Sequence, residues 1–293
     1  MSRSYFEASA RQRLASLLDR GTFRELLPPI ERVMSPHLPS LDLPSAFDDG
    51  VIVGEGELSG RAVLAAAQEG GFMGGAVGEV HGAKLTGLLE RAQKVRPAAV
   101  LLLLESGGVR LHEANAGLIA VSEVMRAVLA TRALGIPVIA LIGGTFGCFG
   151  GTGIVACCCD AIIMSEEGRL GMSGPEVIET AAGVEEFDSR DRALVWRTTG
   201  GKHRYVLGDA EGLVDDDIDA FRQAAVEALM TARPAFELEL VENEHQRLAK
   251  RLEKFGDCRD ALEIWEKLGV THTGQLPLMN TETFVASVAG KRS

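Results

Sequence analysis

The chain has 293 residues, enough for one large α/β domain with a sizeable core. Lys+Arg is 30 and Asp+Glu is 41, a formal charge of −11 that opposes a nucleic-acid footprint or docking on an anionic membrane. Aromatics at 5% leave no base-stacking platform, and 46% hydrophobic with 24% charged residues is the balance of an ordinary folded domain.

Met1–Gly21 interleaves Arg3, Glu7, Arg11, Arg13 and Asp19 with its apolar residues, so no signal peptide is expected. Residues 1–20 read as a helix with Leu14, Leu17 and Leu18 on one face. Pro28–Pro44 holds five of the ten prolines and reads as an extended arm. Residues 1–46 are therefore set apart from a folded unit at 47–268, with 269–293 as a tail. Val51–Val53 and Arg61–Ala67 read as strands broken by Gly54, Gly56 and Gly60. Gly78–Val95 is helical, with Leu85, Leu88, Leu89 and Ala92 on one stripe.

Ala98–Leu104 is a continuous apolar strand, which implies burial on both faces, yet it is far short of the ~18 residues of a membrane span. It ends in Glu105-Ser106-Gly107-Gly108, ahead of a helix running to about Leu134. Ile136–Ile142 repeats the pattern, ends in the glycine-rich stretch Gly143–Gly151, and passes through a short helix to the strand Ala161–Met164. Strand, glycine turn, helix, strand is parallel α/β grammar. From Asp216 to Leu268 the pattern is helical, with Asp215-Asp216-Asp217 as its N-terminal cap.

Two turns sit where a buried strand hands over to a helix: Ser106-Gly107-Gly108 and Phe149-Gly150-Gly151-Thr152-Gly153. Glycine lets the backbone turn sharply and present its N–H groups with no Cβ in the way. Two such turns on neighbouring strands can aim one N–H each at a single oxygen, forming an oxyanion hole. Taken singly, a double glycine more often only permits a tight turn. Neither turn is a phosphate loop, and no dinucleotide fingerprint follows a strand.

Phe72-Met73-Gly74-Gly75, Gly78–Lys84, Ser106–Glu113 and Ser173–Glu179 together resemble the carboxyltransferase branch of the crotonase superfamily. The resemblance spans roughly residues 47–268, and the combination is most similar to the β-subunit family of biotin-independent malonate decarboxylases. It implies a crotonase-like ββα superhelix of the carboxyltransferase N-domain type, with additional N- and C-terminal helices. It implies that backbone N–H groups at Gly107, Gly108, Gly150 and Gly151 hold a thioester oxygen. Ser106, Val109, Arg110, His112, Cys148 and Phe149 are then the substrate-contacting positions. The implied reaction is decarboxylation of a malonyl thioester on an acyl carrier protein, to the acetyl thioester and CO2. No cofactor or metal is expected on the chain itself, the thioester belonging to the carrier's CoA-like prosthetic group. The implied partners are a homologous carboxyltransferase-like γ subunit, the acyl carrier protein and an acyl-transferase subunit, in the cytoplasm. The alternatives are a carboxyltransferase β subunit of a biotin-dependent acyl-CoA carboxylase, or a non-catalytic half of such a complex.

Departures from relatives narrow the reading. No cysteine precedes Cys148, so the four-cysteine zinc ribbon of bacterial acetyl-CoA carboxylase β chains is not expected. Single-chain acyl-CoA carboxyltransferases carry two crotonase-like halves, and this length holds one. Ile154 stands where enoyl-CoA hydratases keep a catalytic Glu, although Glu176 matches their other one. The five cysteines are odd in number and three are contiguous, which is no disulfide framework. Cys157-Cys158-Cys159 cannot all face one metal, because consecutive helical side chains point about 100° apart, and they read as small core residues packed against the sheet. Cys148 is the better candidate for a reactive thiol.

His112 is a candidate proton donor or a structural histidine. Ser106 is a ligand to the substrate carboxylate or a helix cap, and Arg110 an anion anchor or an ion-pair partner. Lys202-His203-Arg204 reads as a solvated basic loop, or as a salt-sensitive contact for an acidic carrier. Phe221, Leu229, Leu248, Leu252 and Trp265 give the C-terminal helices more apolar surface than one face of the core absorbs. That surplus points to a large subunit interface.

Overall fold

In the computed structural model, which describes residues 3–42 and 47–293, one seven-stranded sheet runs in chain order from β1 to β7. Helix α1 (Ala10–Leu17) opens with a capping box: Ser9 accepts from the Gln12 N–H, and the Gln12 side chain accepts from the Ser9 N–H. β1 (Arg24–Leu26), α2 (His37–Ser40), β2 (Val51–Leu58) and β3 (Arg61–Gln68) follow, with β1, β2 and β3 antiparallel. Part of the expected proline arm, Leu43–Ala46, lies outside the described residues. β2 runs straight through Gly54 and Gly56, which were expected to break it. A Cβ on Gly54 would lie 2.6 Å from the Arg24 carbonyl, so the glycine admits β1 beside it.

From β3 the sheet is parallel, through β4 (Ala99–Leu103), β5 (Val138–Ile142), β6 (Ala161–Ser165) and β7 (Gly212–Val214). Between these strands run α3 (Glu79–Val95), α4 (Ala116–Ala133), α5 (Gly151–Cys157), α6 (Pro175–Ala182), α7 (Arg192–Thr199) and α8 (Gly201–Val206). After β7 come α9 (Ile218–Met230), α10 (Leu238–Phe255), α11 (Ala261–Lys267) and α12 (Thr281–Ser287). Asp217 caps α9 by accepting from the Asp219 and Ala220 N–H groups.

Alternate strand residues face opposite sides. Val100, Leu102 and Leu104 pack with residues of α3 and α4, while Leu101 and Leu103 pack with residues of α1 and α9. Both faces are covered, which is why β4 is apolar throughout. Leu14 and Leu17 of α1 are fully buried, so the folded core takes in chain well before residue 47, where it was expected to begin. Beyond the long strands the chain makes short bridges before its helices: Val77 pairs with Val109, Ser106 with Cys148, and Cys148 with Leu170. Long strand, short strand, helix is the ββα order, and it lays the two glycine turns side by side.

A third apolar cluster joins Val206 and Leu213 to Trp265, Leu276, Phe284 and Val288. The segment expected as a tail is therefore anchored. Lys202 of the basic triplet holds it there, and all three side chains of the triplet are engaged within the chain. Lys202 donates to the carbonyls of Pro277 (2.9 Å) and Met279 (2.7 Å) and pairs with Glu166 (2.8 Å). His203 Nδ1 accepts from the Trp265 indole N–H (3.2 Å), and Arg204 pairs with Asp209 (3.1 Å). A run of cations looks solvated in one dimension, but here the C-terminal segment folds over it.

Burial pushes both His203 and the fully buried His81 down to about 3. An unfolded chain protonates these groups near their ordinary value, whereas the folded chain does not until about 3. Stability is therefore expected to fall as pH drops from about 6.5, by about 1.4 kcal/mol per pH unit for each histidine. Urea midpoints measured from pH 6.5 to 4.5 check this, and His203→Gln should remove about half of the slope. A midpoint independent of pH across that range would contradict buried, neutral histidines.

Candidate active site

β4 and β5 are neighbours, so the turns that follow them emerge together. The Ser106 N–H donates to the Gly147 carbonyl (2.7 Å), and the Phe149 N–H to the Ser106 carbonyl (2.8 Å). The turns touch at their glycines: a Cβ on Gly150 would sit 3.3 Å from Gly108 Cα. Gly108 at φ +138° and Gly150 at φ +61° occupy conformations that residues with side chains rarely adopt.

Each turn commits one glycine amide to the scaffold. The Gly107 N–H donates to the Gly74 carbonyl (2.9 Å), and the Gly150 N–H to the Met172 carbonyl (3.0 Å). These two amides, expected at the thioester oxygen, are already occupied. Gly151 opens α5, where no intrahelical acceptor exists for its N–H, and none is supplied by another described residue. The Gly108 N–H meets only the Ser106 hydroxyl (3.2 Å), which itself donates to the Gly108 carbonyl (3.1 Å). Ser106 is not a helix cap, since α4 starts only after Asn115.

Of the two roles open to Arg110, the structure selects the ion pair. Its guanidinium, 4% exposed, grips Asp48 with both terminal nitrogens and also reaches Glu113 (3.2 Å) and the Ala76 carbonyl (2.8 Å). Four of its five N–H donors are engaged inside the protein. Burial by itself would raise the Asp48 carboxyl, but the Arg110 hydrogen bonds and charge outweigh it and hold Asp48 below the ordinary carboxylate range. Glu113 also accepts from the Glu79 N–H (2.7 Å), so the cluster ties the loop after the first turn to α3. His112 lies on that loop with a partly exposed side chain, its Nε2 3.9 Å from Glu113.

Cys148 is fully buried, and burial pushes its thiol well above the ordinary range, so it is no reactive thiolate. Its backbone does the positioning, donating to Arg169 (2.7 Å) and accepting from Gly171 (3.2 Å). Of Cys157-Cys158-Cys159, expected in the core, only Cys159 is buried; Cys158 is half-buried and Cys157 exposed, because consecutive side chains near the end of α5 diverge too far to share one face. Phe149 is buried and Val109 packs, partly buried, against the core, so neither side chain projects from the turns.

Two features were missed from the sequence. Glu105, the residue before the first turn, is buried against Arg13. Around the turns, Leu111 (84%), Leu118, Met172 (68%) and Val177 form exposed apolar surface. Leu111 and Met172 lie in the connections, and Leu118 and Val177 in the first turns of α4 and α6, so no one periodic stripe marks them as a surface. Among the described residues, no group of three or more His, Cys, Asp or Glu is placed to hold a metal ion, and no helix is long and apolar enough to cross a membrane.

Comparison with known proteins adds to this geometry. Residues 7–237 match the model of the carboxyl transferase domain. The chain is 40% identical to the malonyl-S-ACP:biotin-protein carboxyltransferase MADC of Malonomonas rubra, over 97% of this chain and 95% of that one. It is 36% identical to the acetyl-coenzyme A carboxylase carboxyl transferase subunit beta of Fusobacterium nucleatum, over 60% and 59% respectively. Among solved structures it is similar to a chain of a Pseudomonas malonate decarboxylase hetero-tetramer in complex with malonate. That match has a TM-score of 0.81 at 41% identity and covers 90% of this chain and 97% of the other.

Proposed function

The chain belongs to the carboxyl transferase domain family, and on that footing we propose that it is the carboxyltransferase-like subunit of a malonate decarboxylase. It releases CO2 from a malonyl thioester carried on an acyl carrier protein. The observation that carries this reading is the pair of abutting turns, each with a glycine amide outside the backbone network, Gly108 and Gly151. Loss of CO2 leaves an enolate whose charge gathers on the thioester oxygen. A preorganised N–H at that oxygen is worth about 2.7–4 kcal/mol of barrier. An oxyanion is a stronger acceptor than the Ser106 hydroxyl and displaces it from the Gly108 N–H. His112, partly exposed on the adjoining loop, is the candidate donor of the proton that converts the carbanion to the acetyl product. The thioester arrives on the carrier's CoA-like prosthetic group.

Likeness over nearly the full length of a malonate decarboxylase chain supports this activity. The apolar surface around the turns supports a second carboxyltransferase-like subunit closing over them. Leu248 (46%) and Leu252 (74%) on α10 are exposed as well. Phe221, Leu229 and Trp265, expected to contribute to it, are buried within this chain instead.

One observation favours a second reading. The Malonomonas rubra relative is named for transfer to a biotin protein, and the same two amides would stabilise the same enolate in that reaction. The test is a complex reconstituted from this chain, a carboxyltransferase-like partner subunit and malonyl-loaded carrier protein. Free CO2 and acetyl carrier are expected at a rate that avidin does not change, while the isolated chain is expected to be inactive. A requirement for a biotinyl protein moves the assignment to transcarboxylation. A monodisperse monomer that turns over at the full rate overturns the subunit claim.

A further inference from the structure

Glu105 lies two residues beyond β4 and is 4% exposed. Its carboxylate pairs with Arg13 of α1, itself almost fully buried. Arg13 is fixed in turn by the carbonyls of Tyr5 (2.8 Å) and Phe6 (3.3 Å), and it lies 4.6 Å over the Tyr5 ring. On its other side Glu105 Oε1 accepts from the Phe146 N–H (3.1 Å), in the loop that leads to the second turn. The next residue of that loop, Gly147, offers its carbonyl to the N–H of Ser106, the next residue after Glu105. The four residues thus close a ring that joins the first turn to the second. The Glu105 N–H donates to Gln68 Oε1 (2.8 Å), and the Gln68 amide meets His81 Nε2 (3.1 Å). Gly70 leaves room for the carboxylate: a Cβ there would sit 2.5 Å from Oε1.

A buried ion pair is a poor device for stability alone, since desolvation offsets most of its attraction and an apolar pair of like volume often does as well. What a carboxylate adds is direction. One oxygen can take Arg13 while the other holds the Phe146 N–H, and a methyl group can do neither. We infer that Glu105, held by Arg13, is a positioning residue that sets the two glycine turns relative to each other and so aims the Gly108 and Gly151 amides at the thioester oxygen. The inference rests on the oxyanion assignment above.

The experiment uses the reconstituted complex and malonyl-loaded carrier, with rates expressed per assembled complex. Glu105→Gln leaves Arg13 buried without a counter-charge and risks misfolding, so the primary variant is Arg13→Met with Glu105→Met, which removes both charges. Glu105→Asp accompanies it, keeping the charge and shortening the reach. Both are expected to assemble and to lose between about tenfold and about a hundredfold in kcat, with KM near that of the parent. Affinity for a nitroacetyl thioester, whose ionised form carries negative charge as the enolate does, should fall in step with kcat. Affinity for the uncharged acetyl thioester should stay. Arg13→Lys, which can still pair with Glu105, should recover most of the rate.

A purely structural role would lower the yield of complex and leave kcat per complex and the nitroacetyl preference unmoved. The double variant or Glu105→Asp assembling with the parental kcat overturns the positioning role. Gly108→Val, measured alongside, separates the two claims. If it abolishes turnover while the Glu105 variants do not, only the positioning role fails. If it too retains turnover, the oxyanion assignment fails.

Discussion

Gly108→Val is expected to reduce decarboxylation by at least about a hundredfold while the complex still assembles, the scale of losing one oxyanion donor. A Cβ at Gly108 meets no protein atom within 4 Å, so the substitution causes no packing clash. The loss comes from the backbone: φ +138° is closed to a branched residue, and the peptide must rotate away from the ligand to accept one. Gly151→Val reaches the same end differently, because its Cβ would press to 2.6 Å from Val121 Cγ1 and disturb the α4–α5 contact as well. Gly107→Ala is the contrast. Its amide is already bonded to Gly74, its Cβ would sit 3.6 Å from that carbonyl, and it should lose far less activity. Steady-state rates on malonyl carrier protein, with gel filtration to confirm assembly, check the series. Equal losses at Gly107 and Gly108 would remove the distinction between bonded and available amides.

The second large effect is on stability. Arg110→Met strands Asp48 and Glu113 as buried carboxylates without their cation, and breaking a buried pair this way costs about 3–5 kcal/mol. The sign with pH is fixed by Asp48, whose carboxyl is held below its ordinary value in the folded chain. That contribution is present above the unfolded pKa near 4 and is lost as pH falls through the folded value. In the variant, burial without Arg110 raises the Asp48 pKa, so protonation relieves the stranded charge. The gap between parent and variant, read from urea unfolding, should therefore be widest near pH 7 and narrow toward pH 4. An anion anchor would behave otherwise: its removal would raise KM for the malonyl substrate and leave the unfolding midpoint in place. Arg110→Lys is expected to recover little, because an ammonium cannot span Asp48, Glu113 and the Ala76 carbonyl at once.

The apolar strands 98–104 and 136–142, the stripe of α3 and the two double-glycine turns were legible in one dimension. Period-two burial, period-3.6 stripes and access to positive φ are properties of a few consecutive residues, so they survive without knowledge of what packs against them. A parallel α/β order follows from their alternation; the short bridges that make it ββα, such as Ser106 with Cys148, do not. Which amides stay available does not, because the carbonyls that claim Gly107 and Gly150 belong to Gly74 and Met172, remote in sequence.

The cations were illegible for the same reason. Arg110, Lys202 and Arg13 are charged wherever they sit, and only folding decides whether water, Asp48, the Pro277 and Met279 carbonyls or Glu105 receives that charge. A glycine declares its role through its own backbone. The role of a charged side chain is set by desolvation and by the partner brought to it, and both exist only once the chain has packed.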